Sequence, residues 1–150
     1  MTITTSLVST AEPSTIHRLL VDVEAWSIWS PHVASVDPPT GEVAAGWEGS
    51  TRAFFSPGAT EMIVDEVIAD GGYTWHCAVG PWTLRYRNAV TAGVHGGSTV
   101  TFAADLHGPA ATVIERIVGP VSALGQRRRM HRLARSAELV ERLGGPSPPR

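Results

Sequence analysis

The chain has 150 residues, 43% of them hydrophobic and 17% charged. That is one ordinary domain with enough apolar material for a single core, which excludes both a disordered chain and two independent domains. The only cysteine, Cys77, excludes an internal disulfide and, among scattered histidines, a zinc-type cluster; a net charge of −2 gives no global basic field to hold nucleic acid.

The N-terminus lacks the basic flank and apolar stretch of a signal peptide. No run approaches the ~20 apolar residues of a membrane span, so a soluble, cytoplasmic protein is expected. Residues 2–9 are rich in β-branched side chains and short enough for a strand. Pro13 then suits an early helical position, and Ile16, Leu19, Leu20 and Val23 recur at three- and four-residue spacing, which predicts an amphipathic helix. A second short helix carries Trp26 and Trp29 on one face, and Pro31 prevents its extension.

From residue 32 to 107 the pattern is that of strands. These fall at roughly 32–37, 47–55, 60–69, 73–79, 82–92 and 98–107, separated by turn signals at Pro38-Pro39, Pro57-Gly58, Gly71-Gly72, Gly80-Pro81 and Gly96-Gly97. Short links make successive strands antiparallel neighbours, so a six-strand meander is predicted, with the N-terminal strand as a seventh. After Gly108-Pro109 the period becomes helical to about Leu143, and the tail from 144 to 150 cannot continue the helix. Within that helix Ala110, Val113, Ile114, Ile117, Val121 and Leu124 form one apolar stripe. Met130, Leu133, Ala134, Ala137 and Val140 form a second that lies nearly opposite, so a bend at Pro120 is expected, with the two halves packing differently. The whole reads as one α+β domain over residues 1–143.

All twelve basic residues are arginines, which fits the codon bias of a GC-rich genome, and five of them crowd into residues 127–135. Arg128, Arg132, Arg135 and Arg142 share a helix face opposite Met130, Leu133, Ala137 and Val140, and a solvated face accounts for them. Contact with a membrane is expected to be peripheral at most, through anionic headgroups or not at all.

The segment Asp22-Val23-Glu24-Ala25-Trp26-Ser27-Ile28-Trp29-Ser30-Pro31-His32-Val33 resembles the D-x-E-x-W-x-x-W-x-P-x-V signature of the SRPBCC, or START-related helix-grip, superfamily, in its polyketide cyclase/dehydratase and lipid-transport branch. Val64-Asp65-Glu66-Val67, Tyr73-Thr74-Trp75, Gly97-Ser98-Thr99-Val100-Thr101-Phe102 and Gly108-Pro109 are similar to the same family in order and spacing. The resemblance implies a helix-grip fold, a curved seven-stranded sheet wrapped around the long helix with a deep apolar pocket between them. It implies binding of a hydrophobic small molecule, lipid or polyketide-like, or alternatively a cyclase, aromatase or dehydratase reaction in the same cavity. The fold alone does not choose between carrier and enzyme.

Strand parity assigns the pocket wall, because neighbouring residues point to opposite faces. Met62, Val64 and Glu66 share one face of residues 60–69; Tyr73, Trp75 and Cys77 share one face of the next strand; Trp82, Leu84 and Tyr86 share one face of the strand after it, and Phe102 belongs to the last. With Val113, Ile117 and Val121 from the helix, and Trp29 at the pocket mouth, these are the expected ligand contacts, although alternation cannot tell a cavity from a filled core. Glu66 and Tyr86 are the candidate proton-transfer groups, Glu66 because a carboxylate on an inward face is desolvated. Two other placements of Glu66 stay open, a bulge that turns it to solvent and a pairing with Arg52. Cyclase relatives often carry an arginine in that strand region, and Glu66 departs from them. His76 and His32 have no nucleophile or carboxylate partner at a recognisable spacing, and Cys77 reads as a small apolar filler. With no phosphate loop, nucleophile motif or metal ligand set, no cofactor and no metal are expected. The expected partner is the hydrophobic ligand, with no nucleic acid, and the protein is a monomer or homodimer.

Overall fold

The computed structural model describes residues 2–54 and 58–144. In chain order it has β1 (Thr2–Ser9), α1 (Pro13–Val21), a 3-10 turn (Val23–Ala25), α2 (Trp26–Trp29), β2 (Val33–Asp37), β3 (Glu48–Ala53), β4 (Ala59–Ile68), β5 (Gly72–Val79), β6 (Trp82–Ala92), β7 (Ser98–His107) and α3 (Ala111–Gly144). Phe55 and Pro57, at the expected end of the third strand segment and its turn, lie outside the described residues, as does the expected tail from residue 145 onward; Gly144 is the last residue of α3.

The seven strands form one antiparallel sheet in the order β1-β7-β6-β5-β4-β3-β2. Strands β2 to β7 are a plain meander, as their short turns require, and β1 closes the series by pairing with the last strand rather than the next. At the β4–β5 turn Gly72 takes φ +88° and its missing Cβ would sit 1.9 Å from the Asn88 carbonyl oxygen, so only glycine fits there. Its N–H donates to His17 Nδ1 at 2.9 Å, fastening α1 to this end of the sheet.

The core lies between the sheet, α1, α2 and the second half of α3. Ile16, Leu20, Val64, Val100, Phe102, Met130, Leu133 and Ala137 are almost completely buried in it. Trp26 and Trp29 anchor it as expected for bulky aromatics on a short helix: their indole N–H groups donate to Leu20 O at 2.8 Å and Leu19 O at 3.0 Å, which satisfies the polar end of each ring while the body is buried.

Helix α3 has 34 residues and runs through Pro120 as one continuous element. Its buried residues are Glu115, Gly119, Gln126, Met130, Leu133, Ala134 and Ala137. Those at 115, 119, 126, 130, 133 and 137 follow three-, four- and seven-residue steps, so a single face points inward along the whole length. The expected change of face is therefore corrected. The apolar second half is pinned by the core and by polar ties to the beginning of the chain: Ser9 Oγ donates to Glu138 Oε2 at 2.7 Å, the Glu12 N–H to Glu141 Oε2 at 2.7 Å, and Thr5 Oγ1 to Gln126 Oε1 at 3.2 Å. A continuous helix cannot rotate one half independently, so the first half turns its polar and small residues inward. Val113, Ile117, Val121 and Leu124 then face solvent with relative exposures of 58, 71, 73 and 53%. Among the described residues no helix is long and apolar enough to cross a membrane.

Candidate functional site

A cavity of about 760 Å³ lies between the sheet and the first half of α3. The sheet contributes Thr51 and Ala53 of β3, Thr60 of β4, Trp75, Cys77 and Val79 of β5, Leu84 and Tyr86 of β6, and Ala104 and Leu106 of β7. Helix α3 contributes Val118, Ser122, Gly125, Gln126 and Arg129, while Arg128 and Arg132 also reach it. Pro31 and His32 bring the end of the α2 turn to the same space. The cavity exists because short side chains meet there: Gly125 has nothing within 4 Å of where a Cβ would stand, so α3 leaves a gap that the alanines and threonines of the sheet do not fill. Its volume is in the range of small-molecule sites.

Four of the expected ligand contacts line this space, namely Trp75, Cys77, Leu84 and Tyr86. Parity places them together because β5 and β6 pair without a register break, Trp75 opposite Tyr86 and Cys77 opposite Leu84. The rings of Trp75 and Tyr86 stack with centroids 4.3 Å apart and planes at 13°.

The other expected contacts lie elsewhere. Met62, Val64, Tyr73 and Phe102 point inward as parity predicts, but they belong to the closed core with Trp29. Tyr73 stacks on Trp26 at 6.5 Å, and Trp29 meets Phe102 edge-on at 6.0 Å. Trp82 is half-buried and donates its indole N–H to Pro109 O at 2.8 Å, bracing the turn into α3. Val113, Ile117 and Val121 are corrected from pocket wall to solvent face by the rotation of α3.

Glu66 is corrected as well. A β-bulge lies between Val64 and Glu66: Val64 pairs with Trp75 and Glu66 with Thr74, leaving Asp65 as the extra residue. Val64 and Val67 therefore face the core while Asp65 and Glu66 both face solvent. The bulge is held on the outside by His76, whose Nδ1 lies 2.8 Å from Asp65 Oδ1. Glu66 is exposed and does not line the cavity.

Arg129 is the principal cavity residue that the sequence reading missed. Its guanidinium carbon stands 5.7 Å from the centroid of the Phe102 ring, a cation–π geometry. Burial pulls the guanidinium below its usual value, opposed by the phenols of Tyr86 and Tyr73, yet a guanidinium starts so high that it stays charged at neutral pH. Its charge is felt across the site: it adds to burial in lowering His32 and works against burial at Tyr86 and Tyr73, both of which are raised. Burial also pushes the Cys77 thiol up to about 11, as expected for an apolar filler. The signal for Arg129 was present in the arginine run. Arg128, Arg132 and Arg135 are exposed, whereas Arg129 is half-buried beside the stripe that starts at Met130.

At the other end of the cavity Glu115 is buried, its Oε1 accepting the Leu106 N–H at 2.9 Å. That bond holds its carboxyl below the usual carboxylate range and ties the start of α3 to β7, a structural use of the charge.

Residues 1–138 match the family described as polyketide cyclase/dehydrase and lipid transport. No curated protein matches the chain significantly. Among solved structures, a hypothetical protein of Helicobacter pylori superposes with a TM-score of 0.76 at 12% identity, over 91% of this chain and 88% of that one. A putative protein of the dynemicin biosynthetic locus superposes with a TM-score of 0.67 at 16% identity, over 91% of this chain and 47% of that one, so this chain spans about half its length. The Aha1 dimer from Colwellia psychrerythraea superposes with a TM-score of 0.64 at 13% identity, over 92% of this chain and 96% of that one. At such identities these likenesses establish a shared fold.

Proposed function

The chain belongs to the polyketide cyclase/dehydrase and lipid-transport family, and from that premise we propose that it binds a hydrophobic small molecule, lipid or polyketide-like, in the cavity between the sheet and α3. The observation that carries this reading is the unfilled space itself, walled by Trp75, Cys77, Leu84, Tyr86 and Ala104 on the sheet and by Val118 and Gly125 on the helix. Burying apolar ligand surface against such a wall contributes about 25 cal/mol per Å². On this reading the protein acts in the cytoplasm as a monomer or homodimer and touches membranes peripherally at most.

The test uses a neutral apolar dye, Nile red, with the folded protein. We expect saturable binding that Gly125→Phe weakens at least tenfold, because the new ring occupies the gap beside α3. The same change replaces a helical glycine and leaves the fold intact. Dye binding that appears only under partly denaturing conditions defeats the proposal.

The second reading is a polyketide cyclase, aromatase or dehydratase reaction in the same cavity. Tyr86 favours it: burial keeps its phenol protonated, and among the described residues its hydroxyl has no hydrogen-bond partner, so a proton donor faces the ligand space. Tyr86→Phe separates the readings. A carrier keeps its affinity within a few fold, whereas an enzyme that relies on this proton loses roughly 10²-fold or more in rate.

A further inference from the structure

Burying a charged side chain beside an apolar cavity costs free energy unless something pairs with it. Arg129 reaches the cavity wall from α3 and lies over Phe102, yet no carboxylate is within ion-pair distance of it among the described residues. The groups that share its field are the phenols of Tyr73 and Tyr86 and the imidazole of His32. None is an anion at neutral pH: burial keeps both phenols protonated, and an imidazole is either neutral or cationic. The ring beneath Arg129 supplies only a partial counter-charge. Two further donors of the same wall have no acceptor among the described residues: the Tyr86 hydroxyl, and the Trp75 indole N–H, which is itself shielded from solvent. The two carboxylates of the cavity lining are engaged elsewhere, Glu115 by the Leu106 N–H and Asp105 by His107 Nε2 at 2.9 Å. Arg128 and Arg132 reach the same cavity from the exposed side of α3, so the wall has donors to spare, and Arg129 is the one of the three that is half-buried.

We propose that the ligand of this cavity is an organic acid, with its carboxylate paired to the Arg129 guanidinium, the Tyr86 hydroxyl as second donor, and its apolar body against Cys77, Leu84 and Ala104. This inference rests on the cavity reading above and names the chemical class that the cavity selects. A planar guanidinium presents parallel N–H groups that match the two oxygens of a carboxylate, and the pairing is stronger in a dry site than at the surface. The ligand supplies the charge that the fold omits.

The test compares 1-pyrenebutyrate with its methyl ester, which share an apolar body and differ in charge. The wild-type protein is expected to bind the acid at least tenfold more tightly than the ester. Arg129→Met, which keeps the length of the stem, abolishes the preference, while Arg135→Met on the solvent face keeps it. Gly125→Phe fills the cavity one helical turn before Arg129, so it also abolishes the preference and serves if Arg129→Met does not fold. Equal binding of acid and ester overturns the inference while Nile red binding leaves the cavity reading standing. A preference that survives Gly125→Phe, or that Arg135→Met removes, places the acid on the surface arginines and overturns the inference too. If neither Nile red nor either pyrene compound binds, both readings fall together.

Discussion

Cys77 sits in the cavity wall with its thiol pushed up to about 11 by burial, so at neutral pH almost none of it is thiolate. Alkylation by iodoacetamide, followed by mass spectrometry, is expected to be slow on the folded protein at pH 8 and to accelerate only as the pH approaches 11. The unfolded chain reacts at the ordinary rate of a free cysteine. His32 gives a second consequence at this scale, with the opposite dependence on acid. Burial first, and Arg129 second, lower it from 6.5. As the pH falls through 6.5 the unfolded chain takes up a proton that the folded chain refuses, so stability declines until the pH reaches the lower folded value. Melting temperatures measured as a function of pH should fall below pH 6.5, and His32→Gln should flatten that part of the curve. An unchanged slope in the variant assigns the decline to other groups. At this scale the sequence showed which aromatic residues point inward, since parity on β5 and β6 needs only an unbroken ladder. It did not show Arg129, because a run of arginines reads as solvated until the rotation of its helix is known.

Helix α3 carries the plainest lesson about what periodicity determines. Both apolar stripes are real features of the sequence, but only the one containing Met130, Leu133 and Ala137 meets the core. Which stripe is buried depends on partners far away in the chain, Phe102 and the residues of α1 among them, and no local pattern ranks the two. The energetic contrast is testable by calorimetry or chemical denaturation. Leu133→Ala should cost about 2–5 kcal/mol as a truncation in a closed core, whereas Ile117→Glu should change stability by no more than about 0.5 kcal/mol. The reverse order returns the first stripe to the interior. Strand β4 allows a matching test. Because Asp65 is the residue that the bulge absorbs, removing it leaves Val64 and Val67 on the core side and restores an unbroken ladder with β5. Deletion of Asp65 is expected to cost about 1 kcal/mol, the scale of its exposed contact with His76. Deletion of Glu61 exchanges the faces of its neighbours and should lower the melting temperature far more.

For the whole molecule, element order was legible because each strand is bounded by a turn signal and each helix by a change of period. The cavity was not legible: a residue lining a gap and a residue filling a core obey the same alternation, and the gap arises from Gly125, Ser122 and the short side chains of β3 meeting across the fold. The arrangement also has a cost in time. Strand β1 pairs with β7, Ser9 with Ser98 and Thr2 with Asp105, and α3 packs against β1 only after both are made. On a ribosome the first strand emerges about 90 residues before its partner, a wait of roughly 5–20 s at 5–20 residues per second. Throughout that interval its edge is unpaired and the inner face of the growing meander has no helix to cover it. Successful biosynthesis therefore depends on keeping an early strand from pairing with anything else while the rest of the chain is translated.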